Sequence, residues 1–186
     1  KIFELKKEFT IIANSIDLKV FDNSDKIIIE NNTILYFGTL IRKKGLLELP
    51  LIFNDVYNQN NNAKLVLIGK DSGDINSGND STWEMMQPLF SEDARKNVTY
   101  LGSVPYQQIK NRINNAALCV FPTFAEAFPV SWLEAMAMKK PIVASNIGWA
   151  KEVIDDAVNG FLVHPKNHKE FANKILILLN NNKLQS

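Results

Sequence analysis

Several features that would identify a function at once are scarce in this 186-residue chain. Its single cysteine, Cys119, excludes an internal disulfide, and its place in the apolar run Leu-Cys-Val-Phe predicts a buried thiol rather than a nucleophile. No stretch approaches the roughly 20 apolar residues of a membrane span, and no signal peptide is visible. The net charge is only +1 and no run of lysine or arginine concentrates it, so we expect no nucleic acid partner.

Motifs for metal and phosphate binding are missing as well. No Asp-x-Asp occurs, and the P-loop pattern G-x-x-x-x-G-K-[ST] is absent. His164 and His168 flank Pro165 without a third ligand in view, so we predict no metal site. With 46% hydrophobic and 22% charged residues, the composition is that of one globular domain or one half of a larger enzyme.

Strand-like and helix-like segments alternate along the chain. Apolar runs of strand length fall at residues 33–37, 64–68, 98–100, 118–121, 141–144 and 160–163. Helical patterns fall at about residues 45–57, 83–90, 105–116, 129–138, 149–154 and 166–179. Because the strands are continuously apolar, both faces of the sheet should be covered. We therefore predict an α/β fold, a doubly wound and mostly parallel Rossmann-like sheet with ligands bound beyond the carboxyl ends of its strands.

One connection is longer than the usual loop. Residues 70–82 are rich in glycine, serine, asparagine and aspartate and follow the second strand on the ligand side. Two interpretations remain open, a mobile surface loop and a lid over a substrate.

The most informative segment, residues 121–145, reads FPTFAEAFPVSWLEAMAMKKPIVAS. Glu126 lies in a loop directly after a buried strand, and Glu134 lies about a turn and a half into the next helix. Spacing alone would leave both as solvated side chains. A carboxylate at the position of Glu134, however, can accept two hydroxyl hydrogen bonds at once, which suits a ribose diol.

The start of the same helix favours an anion. Pro129 suits a first helical turn, because its missing N–H would be unpaired there anyway. The backbone N–H groups near Phe128, Val130 and Ser131 then point to the ligand edge, where the helix dipole attracts phosphate.

At this point the sequence resembles the C-terminal, nucleotide-sugar-binding domain of retaining glycosyltransferases with the two-domain GT-B fold, particularly family 4 ("group 1"). The family pattern E-x-F-x-x-x-x-x-E-A-M-A is matched by the residues Glu126, Phe128, Glu134, Ala135, Met136 and Ala137. The resemblance runs from about residue 11 to residue 179. It implies that Glu126 contacts hydroxyls of the donor sugar and that Glu134 contacts the ribose.

A second match lies in residues 38–45, directly after the first strand. The family commonly reads G-R-L-x-x-x-K-G, whose arginine and lysine grip the donor diphosphate. Gly38 and Lys44 match, whereas Thr39 occupies the arginine position and removes a planar fork for phosphate. Arg42 could supply that charge from the loop. The resemblance implies Lys44 as phosphate ligand and, with Glu126, as the catalytic pair.

Two further strand ends complete the expected cleft. The loop 102–105, which includes Val104, approaches the nucleotide base in similar transferases, largely through backbone atoms. Lys70 ends another strand at the same edge and is a candidate lining residue.

Residues 14–17 with Phe21 resemble the N-G-I-D-x-x-x-F segment through which the interdomain linker meets this domain. We therefore expect residues 1–24 to be linker and residues 25–186 to be the donor-binding domain. Because the chain also starts without methionine, an N-terminal acceptor-binding domain is expected to be absent from it.

The resemblance implies a metal-independent enzyme without cofactor that moves a sugar from a nucleoside diphosphate sugar to an acceptor hydroxyl. The acceptor would be a sugar or lipid-linked glycan held by the other domain, as in polysaccharide biosynthesis. The enzyme would be cytoplasmic, or peripheral at the inner membrane surface. A sugar-nucleotide epimerase of the same fold and a non-catalytic doubly wound binding module remain the alternatives.

Overall fold

The computed structural model describes residues 10, 12–21 and 29–181. Within these residues the strands are β1 (Glu30–Phe37), β2 (Lys64–Ile68), β3 (Val98–Tyr100), β4 (Ala116–Phe121), β5 (Ile142–Ser145) and β6 (Phe161–Val163). The α-helices are α1 (Leu49–Gln59), α2 (Thr82–Met86), α3 (Glu92–Arg95), α4 (Tyr106–Asn115), α5 (Val130–Ala137) and α6 (His168–Leu179). Short 3-10 helices lie at Arg42–Lys44, Gln87–Leu89 and Gly148–Glu152. The expected domain boundary between residues 24 and 25 lies outside the described residues.

All strand pairs in the described sheet are parallel, in the order β3-β2-β1-β4-β5-β6. Every residue of β4 is buried, so side chains on both faces of this central strand are covered. Cys119 lies within it as a fully buried thiol, which confirms the sequence prediction. The predicted doubly wound α/β fold is confirmed.

The strand order decides where the helices lie. Crossovers between parallel strands are right-handed, so a connection that moves along the sheet one way puts its helix on the opposite face from one that moves the other way. The β1–α1–β2 connection moves one way, whereas β3–α4–β4 and β4–α5–β5 move the other way. The order therefore reverses between β1 and β4, and the loops after these two strands flank the switch point where ligands bind in such folds.

The sequence prediction needs correction at several element bounds. Residues 45–48 do not belong to α1, because Gly45 has a left-handed φ of 73° that ends the preceding turn. Residues 149–154 form no α-helix: Ala150 and Val153 bond to carbonyls three residues back, as in the 3-10 helix Gly148–Glu152. The helix α3 was not predicted. It is one turn long, capped by Ser91, and too short for a periodic signal.

Candidate functional site

A cleft of about 580 Å³ opens at the switch point, beyond the carboxyl ends of β1, β2 and β4. Its volume is within the range of small-molecule sites. The structure brings together in its wall all the site residues predicted from the sequence except Arg42: Gly38, Thr39, Lys44, Lys70, Val104, Glu126, Phe128, Val130, Ser131 and Glu134.

The floor of the cleft is backbone packed on backbone. Gly69 has a φ of 145°, and a Cβ added to it would lie 1.9 Å from the carbonyl oxygen of Gly38. The Gly69 N–H donates to the Gly102 carbonyl at 2.9 Å, and the Gly38 N–H donates to the Ile68 carbonyl at 2.9 Å. The loops after β1, β2 and β3 therefore form one connected surface, and only glycine fits at position 69.

A second close approach joins the turn after β1 to the loop after β4. A Cβ on Gly45 would lie 1.8 Å from the carbonyl oxygen of Pro122. The Phe124 N–H donates to the Lys43 carbonyl at 2.8 Å. These contacts hold the two loops against each other, and they bring Lys44 and Glu126 together in the wall of the cleft.

Lys44 and Glu126 form an ion pair with an Nζ–Oε1 distance of 3.2 Å. Their side chains are 23% and 16% exposed, so both still reach the cleft. A lysine ammonium has three N–H donors, and the contact with Glu126 uses one of them. Lys44 can therefore bind an anion in the cleft while it stays oriented by Glu126.

The backbone around Glu126 is fixed by more distant side chains. The Trp149 indole Nε1 donates to the Glu126 carbonyl at 2.7 Å. The Trp149 ring lies 5.5 Å from the Phe128 ring and 5.1 Å from that of Trp132. From the N-terminal segment, Asn14 Nδ2 donates to the Phe128 carbonyl at 2.8 Å. The loop that presents Glu126 is therefore held from two sides.

The amino end of α5 provides a second source of positive potential. Pro129 is its N-cap residue, and no side chain caps this end. The first N–H groups of an α-helix have no partner within the helix and carry the positive end of its dipole. Val130 and Ser131 stand at this end and line the cleft, so an anion could be bound there as well as at Lys44.

Glu134 is more buried than the sequence suggested, with only 5% of its surface exposed. Burial raises the pKa of its carboxyl group, and a hydrogen bond from Tyr106 acts in the opposite direction. That bond runs from the Tyr106 hydroxyl to Glu134 Oε1 at 2.6 Å. Burial therefore disfavours the charged form of Glu134, while the Tyr106 hydroxyl fixes the direction of its carboxylate in the cleft wall.

Arg42 is the predicted site residue that the structure places elsewhere. Its guanidinium binds Asp74 through two hydrogen bonds, Nε to Oδ1 at 2.9 Å and Nη2 to Oδ2 at 2.7 Å. This bidentate pair lines a separate cavity of about 710 Å³. Hydrogen bonds from Arg42 and Ser77 hold the pKa of the Asp74 carboxyl well below its usual range. Arg42 therefore does not replace the arginine missing at Thr39 in this arrangement.

The long loop after β2 is tied down by the same pair. Besides the contact of Asp74, Asp71 accepts hydrogen bonds from the Ser81 hydroxyl at 2.6 Å and from the Trp83 N–H at 3.0 Å. Residues at its start, including Lys70, line the cleft, whereas Asp74 and Ile75 face the second cavity. Its acidic side chains thus fold the loop back on itself and onto Arg42.

No group of three or more histidine, cysteine, aspartate or glutamate side chains suited to a metal ion occurs in the described part of the chain. His168 instead pairs with Glu48, with 2.6 Å between Nε2 and Oε2. Nor does any described helix combine the length and apolarity needed to traverse a bilayer.

Sequence reasoning missed the supporting contacts of Tyr106 and Trp149. Tyr106 follows directly on loop 102–105, so its closeness to the ligand edge could have been inferred, but its partner Glu134 is 28 residues away. Trp149 follows Gly148 near the expected cleft. Its bond to the Glu126 carbonyl spans 23 residues and leaves no local pattern.

Comparison with known proteins places this arrangement in a family. The sequence model described as "Glycosyl transferases group 1" matches residues 20–186. The chain belongs to this glycosyltransferase family, as the resemblance in residues 121–145 predicted. Among curated relatives, an uncharacterized glycosyltransferase of Methanocaldococcus jannaschii is 33% identical over 144 residues, covering 77% of this chain and 34% of the relative. The capsular polysaccharide biosynthesis glycosyltransferase CapM of Staphylococcus aureus is 29% identical over 167 residues, covering 90% of this chain and 42% of CapM.

Solved structures agree on the fold. A complex of Anabaena HepE with UDP and glucose has a TM-score of 0.77 and 24% identity, covering 95% of this chain and 48% of HepE. The C-terminal domain of a group 1 glycosyl transferase, LpcC of Francisella tularensis, has a TM-score of 0.72 and 22% identity, covering 92% of this chain and 91% of that domain. The chain spans 34% to 46% of the length of the first curated relatives it matches.

Proposed function

We propose that this chain is the donor-binding domain of a retaining, metal-independent glycosyltransferase that moves a hexose-type sugar from a nucleoside diphosphate to an acceptor hydroxyl. The observation that carries the proposal is the convergence of Lys44, Glu126, Glu134 and the uncapped start of α5 on one cleft. A cation and a helix amino end suit a diphosphate, and two separate carboxylates suit two sets of hydroxyl groups.

In this proposal each group binds a different part of the donor. The diphosphate lies between Lys44 and the amino end of α5, near Val130 and Ser131. The ribose hydroxyls donate to Glu134, and hydroxyls of the sugar donate to Glu126, which Lys44 holds in place. Loop 102–105, through Val104 and its backbone, borders the base.

The chemistry that follows is stabilisation of a leaving group. Negative charge grows on the diphosphate as the bond to the sugar breaks, and preorganised cations and helix dipoles stabilise such charge. Glu126 is not assigned as a covalent nucleophile, because its ion pair with Lys44 at 3.2 Å gives it a positioning and sugar-binding role. The base for the acceptor hydroxyl would be the leaving phosphate itself or a group of another domain.

We infer the class of acceptor from the relatives, and it is a sugar or a lipid-linked glycan bound by a preceding domain. The names of the relatives support this inference: CapM acts in capsular polysaccharide biosynthesis, and another relative is an N,N'-diacetylbacillosaminyl-diphospho-undecaprenol α-1,3-N-acetylgalactosaminyltransferase of Campylobacter jejuni. The latter is 39% identical over 88 residues, covering 47% of this chain and 23% of the relative.

The decisive experiment separates the two carboxylates. Glu134→Gln should lower the affinity for the bare nucleoside diphosphate about ten- to a hundredfold, the effect of one hydrogen bond to a charged group. Glu126→Gln should leave that affinity nearly unchanged and should instead weaken the binding of the sugar nucleotide. Calorimetric titration with UDP, GDP, ADP, CDP and dTDP, and then with the matching diphosphate sugars, measures both effects. If the unmodified chain bound none of these diphosphates or diphosphate sugars, the proposal would be overturned.

Two further outcomes are expected from the proposal. The 186-residue chain alone should bind the donor yet transfer no sugar, because catalysis needs both reactants positioned. A longer protein containing it should keep its activity in EDTA. Activity that is lost in EDTA and restored by Mg²⁺ or Mn²⁺ would contradict the assignment of charge stabilisation to Lys44 and α5.

A further inference from the structure

Tyr106 connects two helices at the ribose side of the cleft. It is the first residue of α4, lines the cleft and is 53% exposed. Its hydroxyl crosses to α5 and donates to Glu134 Oε1 at 2.6 Å. A ring that is half open to the cleft thus uses its polar end on a carboxylate that is almost fully buried.

The position of this ring is itself fixed. Phe21, which is 3% exposed, packs edge-on against Tyr106 with 6.0 Å between the ring centroids and an interplanar angle of 81°. Phe21 belongs to the N-terminal segment 12–21, which also bonds to the Phe128 carbonyl through Asn14. The hydroxyl of Tyr106 is therefore aimed at Glu134 by packing and does not depend on a bound ligand.

Glu134 needs such a partner because, among the residues that the structure describes, no ion pair offsets its charge. The cleft residue Lys44 pairs with Glu126 instead, at 3.2 Å. The remaining charged group in the cleft wall is Lys70, after β2. Burial raises the pKa of Glu134, and the hydrogen bond from Tyr106 favours the charged form. The effect on Tyr106 is consistent, since burial and then Glu134 raise its pKa to about 12.

We propose that Tyr106 is a positioning residue of the donor site, which fixes the rotamer of Glu134 through its hydroxyl so that the free lone pairs of the carboxylate face the ribose diol. Tyr106 occupies one acceptor position on Oε1, and the carboxylate retains Oε2 and the second lone pair of Oε1 for the two ribose hydroxyls. The inference rests on the proposed function, because it takes the ribose as the partner of Glu134.

The test uses Tyr106→Phe, which removes the hydroxyl and keeps the ring against Phe21. Tyr57→Phe is the matched control, because Tyr57 lies on α1 and outside the cleft. Affinity is measured by calorimetry for whichever of UDP, GDP, ADP, CDP and dTDP binds the unmodified chain most tightly. We expect Tyr106→Phe to bind about tenfold more weakly, the order expected for one hydrogen bond to a charged group, and Tyr57→Phe to bind normally.

A double-mutant cycle with Glu134→Gln separates positioning from direct ligand contact. If Tyr106 acts through the carboxylate, its replacement should have little further effect in the Glu134→Gln background. An equal loss in both backgrounds, or no loss in either, would overturn the proposal. Melting temperatures of all variants show that each remains folded.

A ligand-free measurement makes the inference independent of donor binding. The pKa of Glu134, followed by NMR of its labelled side-chain carboxyl, should rise in Tyr106→Phe relative to the unmodified chain and stay constant in Tyr57→Phe. As the pH is lowered, donor affinity should therefore begin to fall at a higher pH in Tyr106→Phe than in the unmodified chain. If no diphosphate binds, the proposed function fails while this titration still decides the role of Tyr106. An unchanged pKa would show that Tyr106 does not set the state of the carboxylate.

Discussion

Arg42 and Lys44 stand two positions apart in one 3-10 turn, and their side chains face different partners on its two sides. Arg42 binds Asp74 in the loop after β2 through two hydrogen bonds of 2.9 and 2.7 Å. Lys44 meets Glu126 after β4 at 3.2 Å, in the wall of the cleft. The first pair is a closed bidentate contact, whereas the second leaves lysine donors available. Two cations in the same turn therefore differ in use: Arg42 fastens a loop, whereas Lys44 keeps donors available to the cleft.

The largest effect should come from Lys44→Ala. Removing its ammonium should lower the affinity for the nucleoside diphosphate about ten- to a hundredfold, because a charge-assisted contact to phosphate is lost. Arg42→Ala removes a cation of equal sign from the same turn and should change that affinity less than about threefold. Calorimetric titration of both variants makes the comparison. Similar losses in the two would mean that Arg42 also reaches the donor.

Stability should respond in the reverse order. Arg42→Ala leaves the Asp74 side chain, which is 4% exposed, without its bidentate partner and should lower the melting temperature more than Lys44→Ala does. The pH dependence of this stabilisation follows from the lowered pKa of Asp74. Its contribution is present above the ordinary aspartate pKa of about 4 and is lost as the pH falls further. The difference in melting temperature between Arg42→Ala and the unmodified chain should therefore be large at pH 7 and small in acid. A difference independent of pH would contradict the assignment.

A smaller effect of opposite sign is expected at the cleft. The pKa of Glu134 is raised, so this carboxyl favours folding while protonated and loses that contribution as the pH rises through its folded-state pKa. Glu134→Gln should consequently raise the melting temperature of the unliganded chain at pH 7, and the gain should disappear below about pH 4 where both side chains are neutral. Thermal scans across this pH range test it. A lower melting temperature at pH 7 would show that the charged form stabilises the fold.

The smallest effect concerns the support of Glu126. Trp149→Phe keeps an aromatic ring beside Phe128 but removes the indole N–H that donates to the Glu126 carbonyl at 2.7 Å. Affinity for the sugar nucleotide should fall about two- to tenfold, the worth of one neutral hydrogen bond, with little change for the bare diphosphate. Trp83→Phe, which lies outside the cleft lining, is the control. Equal losses for both ligands would place Trp149 closer to the phosphates than we propose.

The sequence was most informative where local pattern and chain order act together. The strands β2 and β3 have the predicted bounds. Lys44 and Glu126 lie in the segments that follow β1 and β4, Glu134 lies within α5, and the parallel sheet brings all three to one edge. This follows because continuous apolar runs define the strands, and the direction of a parallel sheet then defines the edge.

The rest depended on contacts that no local pattern encodes. Nothing near Arg42 indicates that it bonds to Asp74, 32 residues later, rather than to a ligand. The bond of Tyr106 to Glu134 is likewise made across two helices whose relative position comes from tertiary packing. The 3-10 form of Gly148–Glu152 was missed because a single turn with one buried alanine has no helical periodicity.

The close approach of Gly69 to the Gly38 carbonyl, where an added Cβ would lie at 1.9 Å, has a consequence for engineering the protein. The floor of the cleft is made of main chain, so its contacts do not depend on which side chains surround it. Under the proposed function, Thr39 and Val104, which line the cleft, are therefore the positions at which the donor preference could be redesigned. The glycines themselves are the positions that a mutant library should leave unchanged.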